Sequence, residues 1–502
     1  MDKLLIEKLN EVDIKVRCEK GIAKELSDFF TFKVPGHKFM PQYQNKMWDG
    51  TIKLYNLYSQ TIYSGLLKYV IKFATDRNYK IEYDNQEDFA SNNYITGENV
   101  DRYIVDKLQP LANKQLLQPH THQINAITHA INNDRCLLLS PTASGKSLII
   151  YTLIRYYMER IPKDKKILIV VPTTSLVSQM YSDFMEYSQI DTSFNTEKDV
   201  HIVFAGRDKT SKTSKIIIST WQSIYKMPNE YFEQYHAVFG DECHLFKSKS
   251  LSTLMGKLTD CPFRIGTTGT LDGTQTHKLV IEGLFGPVYD VITTKQLMDK
   301  KILASLEIDA ILLRYKAAET KEIRRAKYQD EMKWIIKNEK RNNFITDMSL
   351  QLKGNTLILF QYVDEHGRIL YNMLKEKIST DRKVFFIHGG TDVELREEIR
   401  HIVEKNDDAI IVASYGTFST GISIRKLHNI IFASPSKSRI RVLQSIGRQL
   451  RKSDNKKVAK LYDIGDDLSW KSYKNHTLRH FSERLKIYKA EKFKFKSISI
   501  RL

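Results

Sequence analysis

Cysteine is scarce in this sequence, and its spacing excludes two common kinds of metal site. Among 502 residues there are four cysteines, at positions 18, 136, 243 and 261, and no two of them form a Cys-x-x-Cys pair. Zinc ribbons and iron–sulfur clusters are built from such closely spaced thiolates. Sparse, unpaired cysteine is also more typical of a reducing cytosol than of secretion.

Long apolar runs are missing as well. No stretch of the sequence approaches the roughly 20 apolar residues that a membrane-spanning helix needs. The first residues are charged and lack the apolar core of a signal peptide. We find no fixed-period repeat and no low-complexity tract. We therefore expect a soluble protein of the cytoplasm without a membrane partner.

Acidic residues are the minority among the charged ones. The chain has 78 Lys and Arg against 59 Asp and Glu, a formal net charge of +19, and a pI near 9.4. With 41% hydrophobic and 11% aromatic residues it can bury real cores, which excludes wholesale disorder. A folded chain this basic indicates a polyanionic partner, most commonly nucleic acid and next an acidic membrane surface.

The length corresponds to about three domains at roughly 150 residues each. Residues 1–90 mix short apolar stretches with turn signals and predict a small α+β domain. Two series of short apolar strands alternating with helical segments follow, and they predict an α/β fold with two tandem parallel-sheet domains at 100–295 and 300–468. The predicted strands are 136–139, 167–171, 216–219, 237–240 and 264–266, then 356–360, 383–387, 409–413, 429–432 and 459–462.

An eight-residue segment between a predicted strand and a helix predicts a phosphate site. It reads Ser140, Pro141, Thr142, Ala143, Ser144, Gly145, Lys146 and Ser147. In a phosphate loop the backbone N–H groups surround the phosphates, Lys146 would neutralise their oxygens and Ser147 would ligate Mg²⁺. Ser140 stands where the full pattern has glycine, and a bare Gly-Lys-Ser match also fits an ordinary strand–helix turn.

Two adjacent carboxylates supply the second half of the site. Asp241 and Glu242 follow the apolar stretch 236–240. Such a pair at a buried strand end is costly unless a cation neutralises it. We expect Asp241 to reach Mg²⁺ and Glu242 to orient the attacking water, and an exposed acidic turn is the alternative. Together the halves favour one nucleotide site beyond the strand ends.

Further short motifs follow in a fixed order: Gln123, Pro172-Thr173-Thr174, Ser219-Thr220-Trp221-Gln222, Thr268-Gly269-Thr270, Ser419-Thr420-Gly421, and a Gln-x-x-Gly-Arg-x-x-Arg signature from Gln444 to Arg451. With the two halves above, the chain resembles the superfamily 2 helicases of the DExH type. The resemblance implies two RecA-like motor domains that use ATP and Mg²⁺. The signature is highly specific, because a plain basic helix does not require that spacing.

The resemblance also implies individual roles. Gln123 would read adenine, and Gly421 would lie on the nucleotide. Arg448 and Arg451 would meet the γ-phosphate, and Gln444 would be a further catalytic residue. Hydrolysis would be coupled to strand binding through His244, Thr268, Gly269 and Thr270. The nucleic-acid backbone would be held by Pro172, Thr173, Thr220, Trp221 and Thr420.

More closely, the chain is similar to the UvsW-like helicase family of T-even bacteriophages. The similarity extends to Phe29-Phe30-Thr31-Phe32, to Trp48-Asp49-Gly50 and to the segment 293–298. It implies a motor directed at forks, Holliday junctions and R-loops, and so at RNA in hybrids, in phage recombination, replication and repair. We expect a monomer in the host cytoplasm.

Two basic regions are candidates for DNA contact. Residues 29–73 hold eleven aromatics and six lysines against one acidic residue, Asp49. This mixture suits base stacking and phosphate neutralisation, although most of the aromatics could equally form a core. We expect contacts from Lys33, Lys38, Lys46 and Lys53. The segment 469–502 predicts a basic helical tail, either a solvated helix or an added nucleic-acid contact.

Three functions remain open at this point. The first is an ATP-driven motor that separates or remodels strands, and the second is a double-strand translocase without strand separation. The third is an ATP-gated clamp or annealing module, against which the complete set of hydrolytic residues argues. A nuclease is disfavoured because no further carboxylates cluster in a metal-site pattern.

Overall fold

A computed structural model describes most of the chain, namely residues 3–90, 94–246, 248–378, 381–421, 424, 426–436, 438–450 and 458–502. The chain divides near residue 292 into two units. Within the described ranges, no helix is both long and apolar enough to cross a membrane.

The first unit begins with a small mixed sheet in the order β5-β2-β1-β6. Strand β1 is antiparallel to β2 and parallel to β6. Alternate residues of β1, Leu4 and Ile6, are fully buried, as the two-residue period of a strand on one core face requires. The strands and helices are β1 Lys3–Lys8, β2 Asp13–Arg17, α1 Lys20–Phe29, β3 Thr31–Lys33, α2 Pro41–Gln44, β4 Thr51–Lys53, β5 Thr61–Tyr63, α3 Leu67–Asp76 and β6 Lys80–Tyr83.

The same unit continues into a seven-stranded parallel sheet in the order β11-β12-β10-β13-β14-β9-β15. Its central strands are mostly apolar, as expected for a parallel sheet buried on both faces. The elements are α4 Gly97–Arg102, β7 Leu111–Ala112, β8 Gln115–Leu116, α5 Thr121–Asn133, β9 Arg135–Leu139, α6 Lys146–Met158, β10 Lys166–Val171, α7 Thr174–Tyr187, α8 Thr196–Asp199, β11 Val200–Val203, β12 Ile216–Thr220, α9 Trp221–Ile224, β13 Tyr235–Gly240, α10 Lys249–Gly256, β14 Phe263–Thr268, α11 Gln275–Phe285 and β15 Val288–Asp290.

The second unit holds another seven-stranded parallel sheet, in the order β18-β19-β17-β20-β21-β16-β22. Its elements are α12 Thr294–Asp299, β16 Ser305–Arg314, α13 Ala317–Glu322, α14 Tyr328–Lys337, α15 Glu339–Gln351, β17 Thr356–Phe360, α16 Arg368–Lys377, β18 Lys383–Ile387, α17 Val393–Lys405, β19 Ala409–Ser414, α18 Tyr415–Gly421, β20 Asn429–Phe432, α19 Arg439–Gln449, β21 Val458–Asp467, α20 His476–Ala490 and β22 Phe495–Arg501.

The predicted fold class is confirmed, and each predicted strand has a counterpart within a few residues. The helical tail at 469–502 is wrong in its second half. Residues 495–501 form β22, which pairs in parallel with β16 at the edge of the second sheet. Its alternating sequence, Phe-Lys-Ser-Ile-Ser-Ile-Arg, has the period of a strand and not of a helix.

The small mixed sheet packs against α11 of the first motor sheet. The Tyr69 hydroxyl donates to Glu282 Oε2 at 2.7 Å, and Glu282 also accepts from the Val288 N–H at 2.9 Å. At Gly65 a Cβ atom would collide with the Glu282 carbonyl, so only glycine permits this approach. Arg135 of β9 donates to the Glu11 carbonyl at 2.8 Å. The residues 1–90 therefore dock on the first motor sheet and share one unit with it.

Candidate nucleotide site and nucleic-acid interface

The phosphate loop lies between two buried elements. Strand β9 ends at Leu139, and α6 begins at Lys146 after the cap residue Gly145. Ala143 and Gly145 adopt left-handed backbone conformations, with φ of 65° and 80°. A Cβ atom at Gly145 would collide with the amide of Gln123. The backbone therefore turns sharply before the N-terminus of α6, which is the setting in which a phosphate loop binds its anion.

Ser140 has a structural role at the position where the full pattern has glycine. Its hydroxyl lies 2.5 Å from the Ser144 hydroxyl, and both side chains are buried. The Ser140 N–H donates to the Thr268 carbonyl at 2.9 Å. Lys146 Nζ donates to the Ser140 carbonyl at 3.1 Å, which folds the lysine back over the loop. The serine thus closes the loop on itself and ties it to the end of β14.

Asp241 and Glu242 place two adjacent, partly exposed carboxylates at the end of β13. Asp241 Oδ1 accepts from the Thr267 hydroxyl at 2.8 Å and from the Glu242 N–H at 2.9 Å. Burial and the Glu242 charge raise the pKa of Asp241, whereas the Lys146 charge lowers it. Within the described ranges, no group of three or more His, Cys, Asp or Glu residues could by itself hold a metal ion, here or elsewhere. The pair fits Mg²⁺, which proteins bind through one or two side chains plus substrate phosphates.

His244 joins the acidic pair to the next strand. Its Nδ1 lies 3.3 Å from Glu242 Oε2 and 3.2 Å from the Thr268 hydroxyl. That hydroxyl donates to the Thr270 carbonyl at 3.2 Å. Glu242 itself has a left-handed backbone, with φ of 52°, a conformation that often marks a functional site. The structure thus brings three of the proposed coupling residues together, and Gly269 lies between two of them in the chain.

Gln123 links the start of α5 to the phosphate loop. Its Oε1 accepts from the His120 N–H at 2.8 Å, and its Nε2 donates to the carbonyls of Ser144 and Gly145 at 3.3 and 3.4 Å. His122 Nε2 lies 3.0 Å from the same Ser144 carbonyl. Sequence reasoning missed His122, because the spacing gave no sign that two side chains of α5 would hold the loop. The reading of adenine by Gln123 stays a prediction.

The two segments proposed to hold a nucleic-acid backbone lie at the same edge of the sheet. Val171 and Thr220 are register partners at the ends of β10 and β12. Gln222 Nε2 donates to the Pro172 carbonyl at 3.1 Å and links the segments. The Thr173 hydroxyl caps α7 by accepting from the Leu176 N–H at 3.3 Å.

Thr220 and Trp221 are used in packing. The Thr220 side chain is buried, and its hydroxyl shares a hydrogen bond of 2.8 Å with Ser223. The Trp221 ring packs edge-to-face against Tyr225 at 5.5 Å. Thr220 is consequently the least accessible of these residues, whereas Pro172, Thr173 and Trp221 are all partly exposed.

On the second unit, Gln444 and Arg448 lie one helical turn apart on α19 and are partly exposed, whereas Val442 and Ile446 on the opposite face are buried. Arg451 lies outside the described residues. Thr420 and Gly421 are the last two residues of α18.

The four lysines of the small domain, Lys33, Lys38, Lys46 and Lys53, are all exposed. They lie on or between the paired strands β3 and β4. The structure thus leaves all four accessible to a partner.

A phosphate loop and an acidic strand end on one parallel sheet, followed by a second sheet of the same order, define the superfamily 2 helicase core. Family models agree: residues 116–273 match the type III restriction enzyme res subunit, and residues 337–453 match the helicase conserved C-terminal domain. Residues 6–84 match the N-terminal domain of the DNA helicase UvsW.

Whole-chain comparisons narrow the family. The chain is 33% identical to the ATP-dependent DNA helicase uvsW of Enterobacteria phage T4, over 97% of this chain and 98% of the relative. The crystal structure of T4 UvsW covers 99% of both chains at 31% identity, with a TM-score of 0.53. The chain belongs to the UvsW helicase family. The DNA-bound restriction-modification enzyme LlaBIII shares the fold alone, at 15% identity over 77% of this chain and 32% of that enzyme, with a TM-score of 0.57.

Proposed function

We propose that this chain is an ATP-dependent DNA helicase that remodels branched DNA in phage recombination, replication and repair. One observation carries the proposal. Lys146, Asp241 and Glu242 lie together at the end of one parallel sheet, and His244 joins the acidic pair to Thr268. That arrangement supports a hydrolytic site whose state is transmitted to a neighbouring strand.

Each group has a separate task in hydrolysis. Lys146 neutralises the β- and γ-phosphate oxygens of ATP, and Ser147 and Asp241 would hold the Mg²⁺ that balances their charge. Glu242 orients the attacking water and accepts its proton. Arg448 and Arg451 supply positive charge as the γ-phosphate departs. Gly421 contacts the nucleotide, and Gln123 selects adenine.

Coupling follows from the contact between Glu242 and His244. A change of charge beside Glu242 alters the position of His244, and the Thr268 hydroxyl follows because it lies 3.2 Å from His244 Nδ1. Thr268 ends β14, and its carbonyl accepts from the Ser140 N–H of the phosphate loop. Hydrolysis would therefore move the loop that Thr268, Gly269 and Thr270 form.

We infer the class of substrate from the net charge of the chain and from its membership of the UvsW helicase family. The formal net charge of +19 supports a polyanionic partner, and the T4 relative is named a DNA helicase. We propose forks, four-way junctions and R-loops as the branched substrates, the last of which contain RNA. We further propose that the protein acts as a monomer in the cytoplasm of the infected cell.

The test is ATP turnover measured with single-stranded, duplex, forked, four-way and RNA–DNA hybrid substrates. We expect forked and four-way DNA to stimulate turnover most, and affinity to fall steeply with salt. Lys146→Ala should abolish turnover while DNA binding persists, and Lys209→Ala, which removes an exposed lysine of the same unit, should change neither.

A strand-displacement assay distinguishes a helicase from a double-strand translocase. A helicase releases the labelled strand of a fork, whereas a double-strand translocase displaces only a third strand from a triplex. Near-normal turnover by the Lys146→Ala variant would contradict the nucleotide site, and normal DNA binding without turnover in the unaltered protein would favour the ATP-gated clamp.

A further inference from the structure

The connection between β3 and β4, residues 34–50 and here called the β3–β4 loop, presents apolar side chains to solvent. The structure describes every residue of it, and no side chain from position 33 to 49 is buried. Phe39 is 85% exposed, Met47 78% and Met40 39%. Scattered exposed apolar residues are ordinary, but several together on one short segment mark an interaction surface.

The loop holds these side chains outward in a fixed conformation. His37 Nδ1 lies 2.8 Å from the Val34 carbonyl, and the His37 ring meets Tyr43 edge-to-face at 4.8 Å. Trp48 Nε1 donates to the Thr51 carbonyl at 2.7 Å. These contacts tie polar atoms of the loop to the loop itself and to the first residue of β4. Its exposed apolar groups are thereby preorganised for a partner, which lowers the entropy lost on binding.

The charge of the loop limits the kind of partner. Lys38 and Lys46 lie within it and Lys33 and Lys53 at its ends, against a single carboxylate, Asp49, which accepts from the Thr51 N–H and hydroxyl at 2.9 and 2.6 Å. A groove of about 610 Å³ on this surface is lined by Lys38, Tyr43, Gln44, Lys46, Met47, Trp48 and Asp49. Cations beside aromatic and thioether groups suit a nucleotide with an accessible base face.

Intact duplex does not fit this surface well. It offers phosphates to the lysines, but its bases are stacked and present no faces to Phe39 or Met47. Unpaired bases, which occur at a branch, offer both phosphate and face. The apolar groups therefore distinguish paired from unpaired DNA, whereas the lysines do not.

We propose that the β3–β4 loop binds the unpaired nucleobases at a DNA branch, with Phe39 and Met47 against the base faces and Lys38 and Lys46 on the adjacent phosphates. The proposal rests on the proposed function and assigns the recognition of the branch to this loop. The motor sheets then supply movement, and the loop supplies the preference for a branch.

The test compares two substrates and three variants. Forked DNA carries 2-aminopurine at its first unpaired position, and blunt duplex of the same length is the reference. In Phe39→Ala/Met47→Ala we expect about tenfold or greater loss of affinity for the fork and loss of the 2-aminopurine signal, because stacking contributes strongly per base. Affinity for blunt duplex should change less than about twofold, since phosphate contacts dominate there.

Two further variants serve as controls. Tyr94→Ala removes a side chain that is 84% exposed in the same unit but outside the loop, and it should leave both affinities unchanged. Lys38→Ala/Lys46→Ala should weaken fork and duplex alike and reduce the slope of log K against log[salt] by about two.

Either of two outcomes overturns the proposal. Equal loss on fork and duplex in the apolar variant would make the loop a phosphate contact only, and no loss on the fork would show that the bases bind elsewhere. Failure of the proposed function is a different result, since it would appear as absent DNA-stimulated turnover in the unaltered protein whatever the 2-aminopurine signal.

Discussion

The two motor sheets have the same topology but opposite chemistry at their strand ends. Numbered from its own first strand, each sheet runs 3-4-2-5-6-1-7. In the first, the fifth strand ends at Asp241 beside an open phosphate loop. In the second, the first and sixth strands end near Tyr315 and Asp466, and the Asp466 carboxylate accepts from the Tyr315 hydroxyl and from the Arg341 guanidinium. The strand ends of the first sheet can therefore accept a phosphate and its Mg²⁺. At the strand ends of the second sheet, the Arg341 guanidinium already pairs with the carboxylate.

The difference extends to how each sheet stabilises a buried arginine. In the first, Arg264 donates to the carbonyls of Leu284, Leu258 and Met255 at 2.8, 2.9 and 2.9 Å. Burial lowers the pKa of Arg264 to about 10. In the second, the Asp466 and Asp463 carboxylates hold the pKa of Arg341 and Arg484 above the ordinary value despite burial. Arg264 thus relies on carbonyl dipoles and Arg341 and Arg484 on carboxylates, although the first unit also has one buried charge pair, Arg155 with Asp191.

The largest effect we predict is from Asp466→Asn, which breaks a charge pair. Asp466 accepts from Arg341 Nε at 2.7 Å, from Arg341 Nη2 at 3.1 Å and from the Tyr315 hydroxyl at 2.6 Å, and all of these groups are buried. The variant leaves the guanidinium charge buried without a carboxylate. We expect a loss of about 3–5 kcal/mol in the free energy of unfolding of the second unit, measured by urea denaturation.

Asp407→Asn is the matched control. Asp407 pairs with Lys426 at 3.0 Å on the surface, where a pair contributes about 0–1 kcal/mol. If the two variants lost similar stability, burial would not be what makes the Arg341–Asp466 pair important.

A smaller loss is expected when the dipole-bound arginine is replaced. Arg264→Met keeps an unbranched apolar side chain but leaves three carbonyls without their donor, and it also removes a buried charge. The two effects oppose each other, so we expect a loss of about 1–3 kcal/mol. Arg484→Met, measured in the same way, should lose more, because the Asp463 carboxylate is left buried and unpaired. The reverse ranking would contradict the distinction between dipoles and charge pairs.

The next prediction concerns what the second sheet contributes to chemistry. Arg448 is partly exposed on α19, so we expect the second sheet to act through surface residues of this kind. Arg448→Ala should lower ATP turnover by about tenfold or more with a much smaller change in ATP affinity. Lysine should restore little, because a point charge does not reproduce the planar guanidinium.

A control for that variant lies on the same helix. Arg439 begins α19 and pairs with Glu491 at 2.7 Å, so Arg439→Ala removes a cation without touching the Gln-x-x-Gly-Arg signature. Steady-state turnover over a range of ATP concentrations separates the two. Equal losses would mean that the helix, and not Arg448, determines the rate.

The sequence predicted the first sheet's site better than the second sheet's core, for a physical reason. Lys146, Asp241 and Thr268 belong to short motifs next to apolar strands, so local pattern was sufficient to place them. Arg341 and Asp466 are 125 residues apart, and nothing local indicates that they pair. The same holds for β22, whose position at the sheet edge depends on its long-range pairing with β16.

The smallest predicted effect concerns the small domain of residues 1–90, which belongs to the same unit as the first motor sheet. Tyr69 donates to Glu282 on α11, the helix that follows the loop of Thr268, Gly269 and Thr270. Tyr69→Phe removes one hydrogen bond to a buried carboxylate, which still accepts from the Val288 N–H. We expect a loss of about 0.5–1.5 kcal/mol in the free energy of unfolding of the first unit.

Tyr103→Phe is the control. The Tyr103 hydroxyl donates to the exposed Glu159, where water can replace it, so this variant should lose less stability than Tyr69→Phe. If hydrogen exchange in α11 rises in Tyr69→Phe and not in Tyr103→Phe, the small domain holds this helix in place. Unchanged exchange in both variants would mean that apolar packing alone secures the docking, and the hydroxyl would then have no role in it.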